Sequence, residues 1–138
     1  MKKMIAIAIL LTFTLYALAP NTNTISIPEA EGINPYRDLI SAIGWVECQY
    51  DTLAYNPEEE ATGYFQIRPI RVKDYNKRTG SNYTLQEMFE YDKAERVFLF
   101  YASQIGPYDL ERIAKSWNGS GPMTIEYWRK VNIQLTKN

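Results

Sequence analysis

The segment Asn34-Pro35-Tyr36-Arg37-Asp38-Leu39-Ile40-Ser41-Ala42-Ile43-Gly44-Trp45-Val46-Glu47-Cys48 decides how the rest of the chain reads. Asn34 and Pro35 form a helix-start signal, an N-cap residue followed by proline at the first helical position. Tyr36, Leu39, Ile40, Ile43 and Val46 then recur at helical spacing, so one face of the predicted helix is apolar. Glu47 follows Ile43 by four positions and Ile40 by seven, which sets a carboxylate within that buried stripe. Glutamate is rarely buried unpaired. Glu47 also falls near the helix end, where the macrodipole is negative and an anion is disfavoured. Desolvation and dipole both push its pKa up, toward an acid still protonated near neutral pH. That is the state a general acid requires. The same spacing also fits two plainer arrangements: a glutamate neutralised by an arginine, or one that turns outward because the helix ends a residue early.

Downstream, Asp51 to Ile67 has no helical period and contains Asn56-Pro57, Glu58-Glu59-Glu60 and Gly63. It reads as a long loop or a short hairpin. Pro69 opens a short helix through about Tyr75, and Gly80 closes that region. Thr84 with Glu87 and Asp92 with Glu95 are two capping boxes, the second ahead of the strongest apolar stripe: Ala94, Val97, Phe98, Tyr101, Ala102 and Ile105. On that stripe Phe98 and Tyr101 read as core. Gly106-Pro107 stops the helix, and Asp109 caps another that carries Leu110, Ile113, Ala114 and Trp117 and ends at Gly119. Thr124 starts a last helix with Tyr127, Trp128, Val131 and Leu135. The fold class expected is mainly α, a small domain with a long loop or short hairpin after the first helix.

The N-terminus reads as an address. Lys2 and Lys3 precede an apolar run from Met4 to Leu18, and Ala17-Leu18-Ala19 supplies a small-x-small site. Residues 1–19 are thus a signal peptide, or an uncleaved N-terminal anchor, since Pro20 sits awkwardly after the cut. Residues 20–34 read as a polar linker and 35–138 as the domain. An exported location follows, periplasmic or extracellular, with membrane contact only through the anchor. The 138 residues include no histidine and a single cysteine, Cys48. Ser-His-Asp and Cys-His catalysis, His-containing zinc sites and an intramolecular disulfide are thereby excluded. Cys48 without a histidine to activate it reads as a small buried hydrophobe. Net charge is −1 with no basic stripe, so nucleic acid is not an expected partner. The Glu58–Glu60 run lacks the spacing of an EF-hand and reads as a solvated loop.

Four short strings in order resemble the lytic transglycosylases of the lysozyme-like superfamily. They are Ala42-Ile43-Gly44-Trp45-Val46-Glu47-Cys48, Gly63-Tyr64-Phe65-Gln66-Ile67, Ala114-Lys115-Ser116-Trp117-Asn118-Gly119 and Tyr127-Trp128-Arg129-Lys130-Val131. The resemblance implies a lysozyme-like (α+β) domain that cleaves the MurNAc–GlcNAc bond of peptidoglycan strands to give 1,6-anhydro-MurNAc ends. Glu47 would be its catalytic acid/base, with no metal or organic cofactor. It further implies substrate contacts from Gln66, Asn118 and Tyr127, and from Tyr64, Phe65 and Trp117 beside them in the motifs. Four positions depart from the family pattern. Cys48 stands where the family has serine, Tyr64-Phe65 where it has Leu-Met, and Trp117 where tyrosine is common. The bulkier Tyr64-Phe65 pair offers a stacking platform, although Tyr64 and Trp117, which flank motif residues, read equally as cleft or as core. Two other functions remain open: a lysozyme-type muramidase, which needs a second carboxylate such as Asp51, and a non-catalytic envelope glycan-binding module. A partner in a cell-envelope assembly is compatible with each.

Overall fold

The computed structural model describes Gly32 and residues 34–137. The signal or anchor at 1–19 and nearly all of the 20–34 linker lie outside the described residues. Among the described residues, five α-helices, one 3-10 helix and a two-stranded hairpin make a mainly helical domain. In chain order they are α1 (Arg37–Cys48), β1 (Tyr55–Asn56), β2 (Ala61–Thr62), α2 (Pro69–Thr79), the 3-10 helix (Gln86–Phe89), α3 (Tyr91–Ser103), α4 (Leu110–Asn118) and α5 (Met123–Leu135). The hairpin after α1 is antiparallel, with Tyr55 opposite Thr62 and Asn56 opposite Ala61.

The helix faces read from spacing are the faces that pack. Leu39, Ile40 and Ile43 of α1, Val97 and Phe98 of α3, Ile113 and Trp117 of α4, and Tyr127 and Val131 of α5 share one core. Phe65 stacks on Phe98 at 4.9 Å between ring centroids, and Trp117 meets Phe98 edge-on at 5.0 Å. Full burial of each such ring contributes roughly 1.5–3 kcal/mol. Helix α5 packs against both α4 and α1. That packing brings the end of α1 beside α5, 80 residues later in the chain.

Local chemistry moved several boundaries. Asn34 does not cap α1. Its side chain accepts from Tyr36 N at 3.0 Å, a turn closed on itself just ahead of a helix that begins at Arg37. Helix α2 continues a turn past Tyr75 to Thr79, where Gly80 at φ 75° ends it in left-handed backbone. The Thr84–Glu87 box forms, with Thr84 N donating to Glu87 Oε2 at 2.7 Å, but it opens the 3-10 helix. Asp92 and Glu95 form no box, because α3 starts earlier, at Tyr91, whose hydroxyl donates to Glu95 at 3.3 Å. Asp109 caps α4 as expected, accepting from Arg112 N at 3.0 Å.

Candidate active site

Glu47 occupies the last turn of α1, and the chain leaves that helix through Gln49 and Tyr50, both in left-handed backbone. Its half-buried side chain borders a cleft, and its carboxyl reaches the neighbouring face of α5. There the Tyr127 hydroxyl donates to Glu47 Oε1 at 2.7 Å. Tyr127 is held by the same face of α5 that buries Val131 one turn on. Burial pushes the Glu47 pKa up to about 7. The Tyr127 hydrogen bond and the Arg68 charge act against that rise, and Glu59 adds to it. Burial and the neighbouring Glu47 hold the Tyr127 hydroxyl far above the usual tyrosine range, so it stays a donor. The arginine-neutralised alternative is not adopted: Arg68 lies near enough to be felt, but its ion pair is with Glu59 at 2.9 Å.

The cleft, of about 220 Å³, is lined by Glu47, Asn56, Glu59, Gln66, Arg68, Arg71, Trp117 and Asn118, with Ile70 at its rim. A second hollow continues past Glu47 along Met123, Tyr127 and Lys130. Gln66 is placed by a tight loop: Thr62 and Ile67 exchange backbone hydrogen bonds at 3.0 and 2.9 Å, and Gln66 itself is left-handed at φ 47°. Its Nε2 donates to the Gly63 and Ala54 carbonyls at 3.0 and 3.3 Å, which fixes the amide at the cleft wall. Asn118 closes α4 just before Gly119 turns the chain at φ 138°. Glu47, Gln66, Asn118 and Tyr127 are therefore brought together from four separate segments.

Tyr64 and Phe65 need correction. Phe65 has no exposed surface, and Tyr64 is 9% exposed with its ring pressed onto Gly44. A Cβ on Gly44 would lie 2.1 Å from the Tyr64 ring, so the missing side chain on α1 makes the hole that Tyr64 fills. This pair is core, and neither ring lines the cleft. Trp117 does reach the cleft, but its Nε1 donates to Phe65 O at 3.2 Å and the Arg71 guanidinium covers its ring at 4.5 Å. With the residue only 7% exposed and Arg71 over the ring, little of it is open to a sugar. Tyr101, read as core, is only partly buried, and its hydroxyl donates to Asp74 at 2.7 Å. Cys48 is more than a small hydrophobe. Its thiol sits 3.3 Å from both the Gly44 and Tyr64 carbonyls, and burial pushes its pKa up, away from the thiolate.

Asp51 is exposed and caps its own turn, accepting from Leu53 N at 2.9 Å. It is not among the residues lining the cleft. In the acidic run all three glutamates are exposed, as a solvated loop has them, and Glu59 also borders the cleft and pairs with Arg68. Sequence spacing passed over Asn56, Arg68 and Arg71, which have no periodic neighbours and face the site only once the hairpin and α2 are folded. Comparison with family models, with curated proteins and with solved structures gives no match for this chain.

Proposed function

We propose that the protein is an exported lytic transglycosylase of lysozyme-like fold, acting on peptidoglycan strands outside the cytoplasm with Glu47 as its single acid/base. The observation that carries this reading is the Glu47 carboxyl, pushed to about 7, set on a cleft and oriented by Tyr127 at 2.7 Å. A group poised there can give a proton and take one back at neutral pH. Protonated Glu47 donates to the glycosidic oxygen as the MurNAc C1–O bond breaks. Its carboxylate then removes the proton from the muramyl 6-hydroxyl as O6 bonds to C1, and the acid is restored with no water consumed. Gln66 and Asn118 supply polar contacts to the sugars flanking the bond.

The muramidase reading gains one specific observation, the second carboxylate Glu59 on the cleft wall. A hydrolase uses such a group as base or nucleophile. The Arg68 ion pair at 2.9 Å engages it, which favours a structural part for Glu59. Mass spectrometry of products from purified sacculi separates the readings. Anhydromuramyl ends are expected from the wild type, and from Glu59→Gln and Asp51→Asn alike. Reducing ends that vanish in Glu59→Gln would establish a hydrolase, and absence of product would leave the glycan-binding module.

The pH dependence has a definite sign. Cleavage starts from protonated Glu47, so kcat/KM should fall as pH rises through about 7. Tyr127→Phe removes a donor that favours the ionised form, so the falling limb should move to higher pH. A limb that stays put would detach Tyr127 from the acid.

A further inference from the structure

Arg71 is a charged group of the cleft that the proposed chemistry does not use and that, unlike Arg68 and Glu59, has no ion pair among the described residues. It lies in the first turn of α2, between the Tyr101 and Trp117 rings, with its guanidinium carbon 4.7 and 4.5 Å from their centroids. Its Nη2 donates to the Trp117 carbonyl at 2.9 Å. Guanidinium has five N–H donors, so most remain for another partner. Among the described residues no carboxylate makes an ion pair with it. Asp74, one turn on, is engaged by the Tyr101 hydroxyl at 2.7 Å and by Arg78 at 3.6 Å. The other charges on this side of the cleft offset one another, since Arg68 is paired with Glu59. Two aromatic faces and a carbonyl hold a flat cation at the cleft wall, partly out of water and with no carboxylate in ion-pair contact, Asp74 acting on it only from further off. Such a group gains strongly from an incoming anion, and its fork matches a carboxylate in two-point contact.

We infer that Arg71 receives a carboxylate carried on the muramyl side of the bound glycan. This rests on the glycan-cleaving reading above. The carboxylate has two sources, the lactyl group of peptide-free muramic acid or the stem peptide attached there. In either case Arg71 is a specificity-determining residue that makes the cleft favour muramyl glycan over neutral amino-sugar polymers.

The test uses the full domain with Glu47→Gln to prevent turnover, and calorimetry with muramyl glycan oligomers. Peptide-free and peptide-bearing oligomers are each compared with the same material after its carboxylates are converted to amides. A charge-assisted two-point contact predicts that one charged form binds about tenfold or more tightly than its amide. Whichever arm shows the difference names the source. The preference should shrink with added salt and disappear on Arg71→Gln. Because Arg71 also ties α2 to α4, that variant can fail to fold. Arg71→Lys then serves, keeping the charge without the planar fork, and should cut the preference several-fold. Equal binding of charged and amidated oligomers, or a preference untouched by either substitution, overturns the inference. If the wild type yields no cleavage product while the preference is present, the cleaving reading fails and the carboxylate site stands. Failure of every oligomer to bind overturns both.

Discussion

Glu47→Gln is expected to lower glycan cleavage by ~10²–10⁴-fold or more while leaving the domain folded. The amide keeps an oxygen that can accept the Tyr127 hydrogen bond, so the contact seen at 2.7 Å survives. It cannot donate the proton that cleavage needs or take one back. Near-normal turnover in the variant would remove Glu47 from the chemistry. The same substitution also has a stability signature that requires no substrate. The Glu47 pKa is raised from 4.5 to about 7, so the folded state binds its proton more tightly than the unfolded chain does. Its contribution to stability is therefore full below about pH 4.5 and is lost as pH rises through about 7. Glutamine carries no such dependence. Relative to the wild type, the variant should gain stability between pH 5 and pH 8, read as a difference in urea midpoints. A gap that does not change with pH would mean the carboxyl is not desolvated.

What the sequence could and could not disclose follows from the range of each interaction. Helices α3, α4 and α5 were legible because their apolar residues repeat every three or four positions, and that spacing is local. The place of Glu47 was legible for the same reason. The hairpin was legible only as one of two readings, a long loop or a short hairpin, since two-residue strands are too short to show alternation. Nor could three consecutive glutamates reveal which of them faces the cleft. That depends on how the hairpin folds and on Arg68, nine positions after Glu59. Tyr64 illustrates the limit most plainly. An aromatic in a motif loop reads equally as a sugar platform or as core. What sends it inward is the missing Cβ of Gly44, twenty positions earlier and on another element.

Gly63→Ala should destabilise the domain by about 3 kcal/mol, a large share of the ~5–15 kcal/mol that holds a domain together. Two causes act at once. Gly63 has φ 74°, a left-handed conformation that costs an L-residue roughly 1–2 kcal/mol. An added Cβ would also lie 2.1 Å from the Met88 carbonyl oxygen, and that atom is backbone in the 3-10 helix. Relief requires the helix to move, although Met88 itself is fully buried, and overpacking of this kind costs about 1–3 kcal/mol. Gly80→Ala is the control. Gly80 has nearly the same φ, 75°, but nothing lies within 4 Å of its Cβ position, so only the backbone cost remains. In urea the Gly63 variant should lose about 1–2 M in midpoint and the Gly80 variant roughly half of that. The consequence reaches the cleft, because Gln66 is anchored through its Nε2 to the Gly63 carbonyl at 3.0 Å. The fraction of Gly63→Ala that stays folded should therefore cleave less well than its folded population accounts for. If its midpoint matched that of Gly80→Ala, the 3-10 helix would be yielding freely, and the contact between that helix and the motif loop could not be what fixes Gln66 at the site.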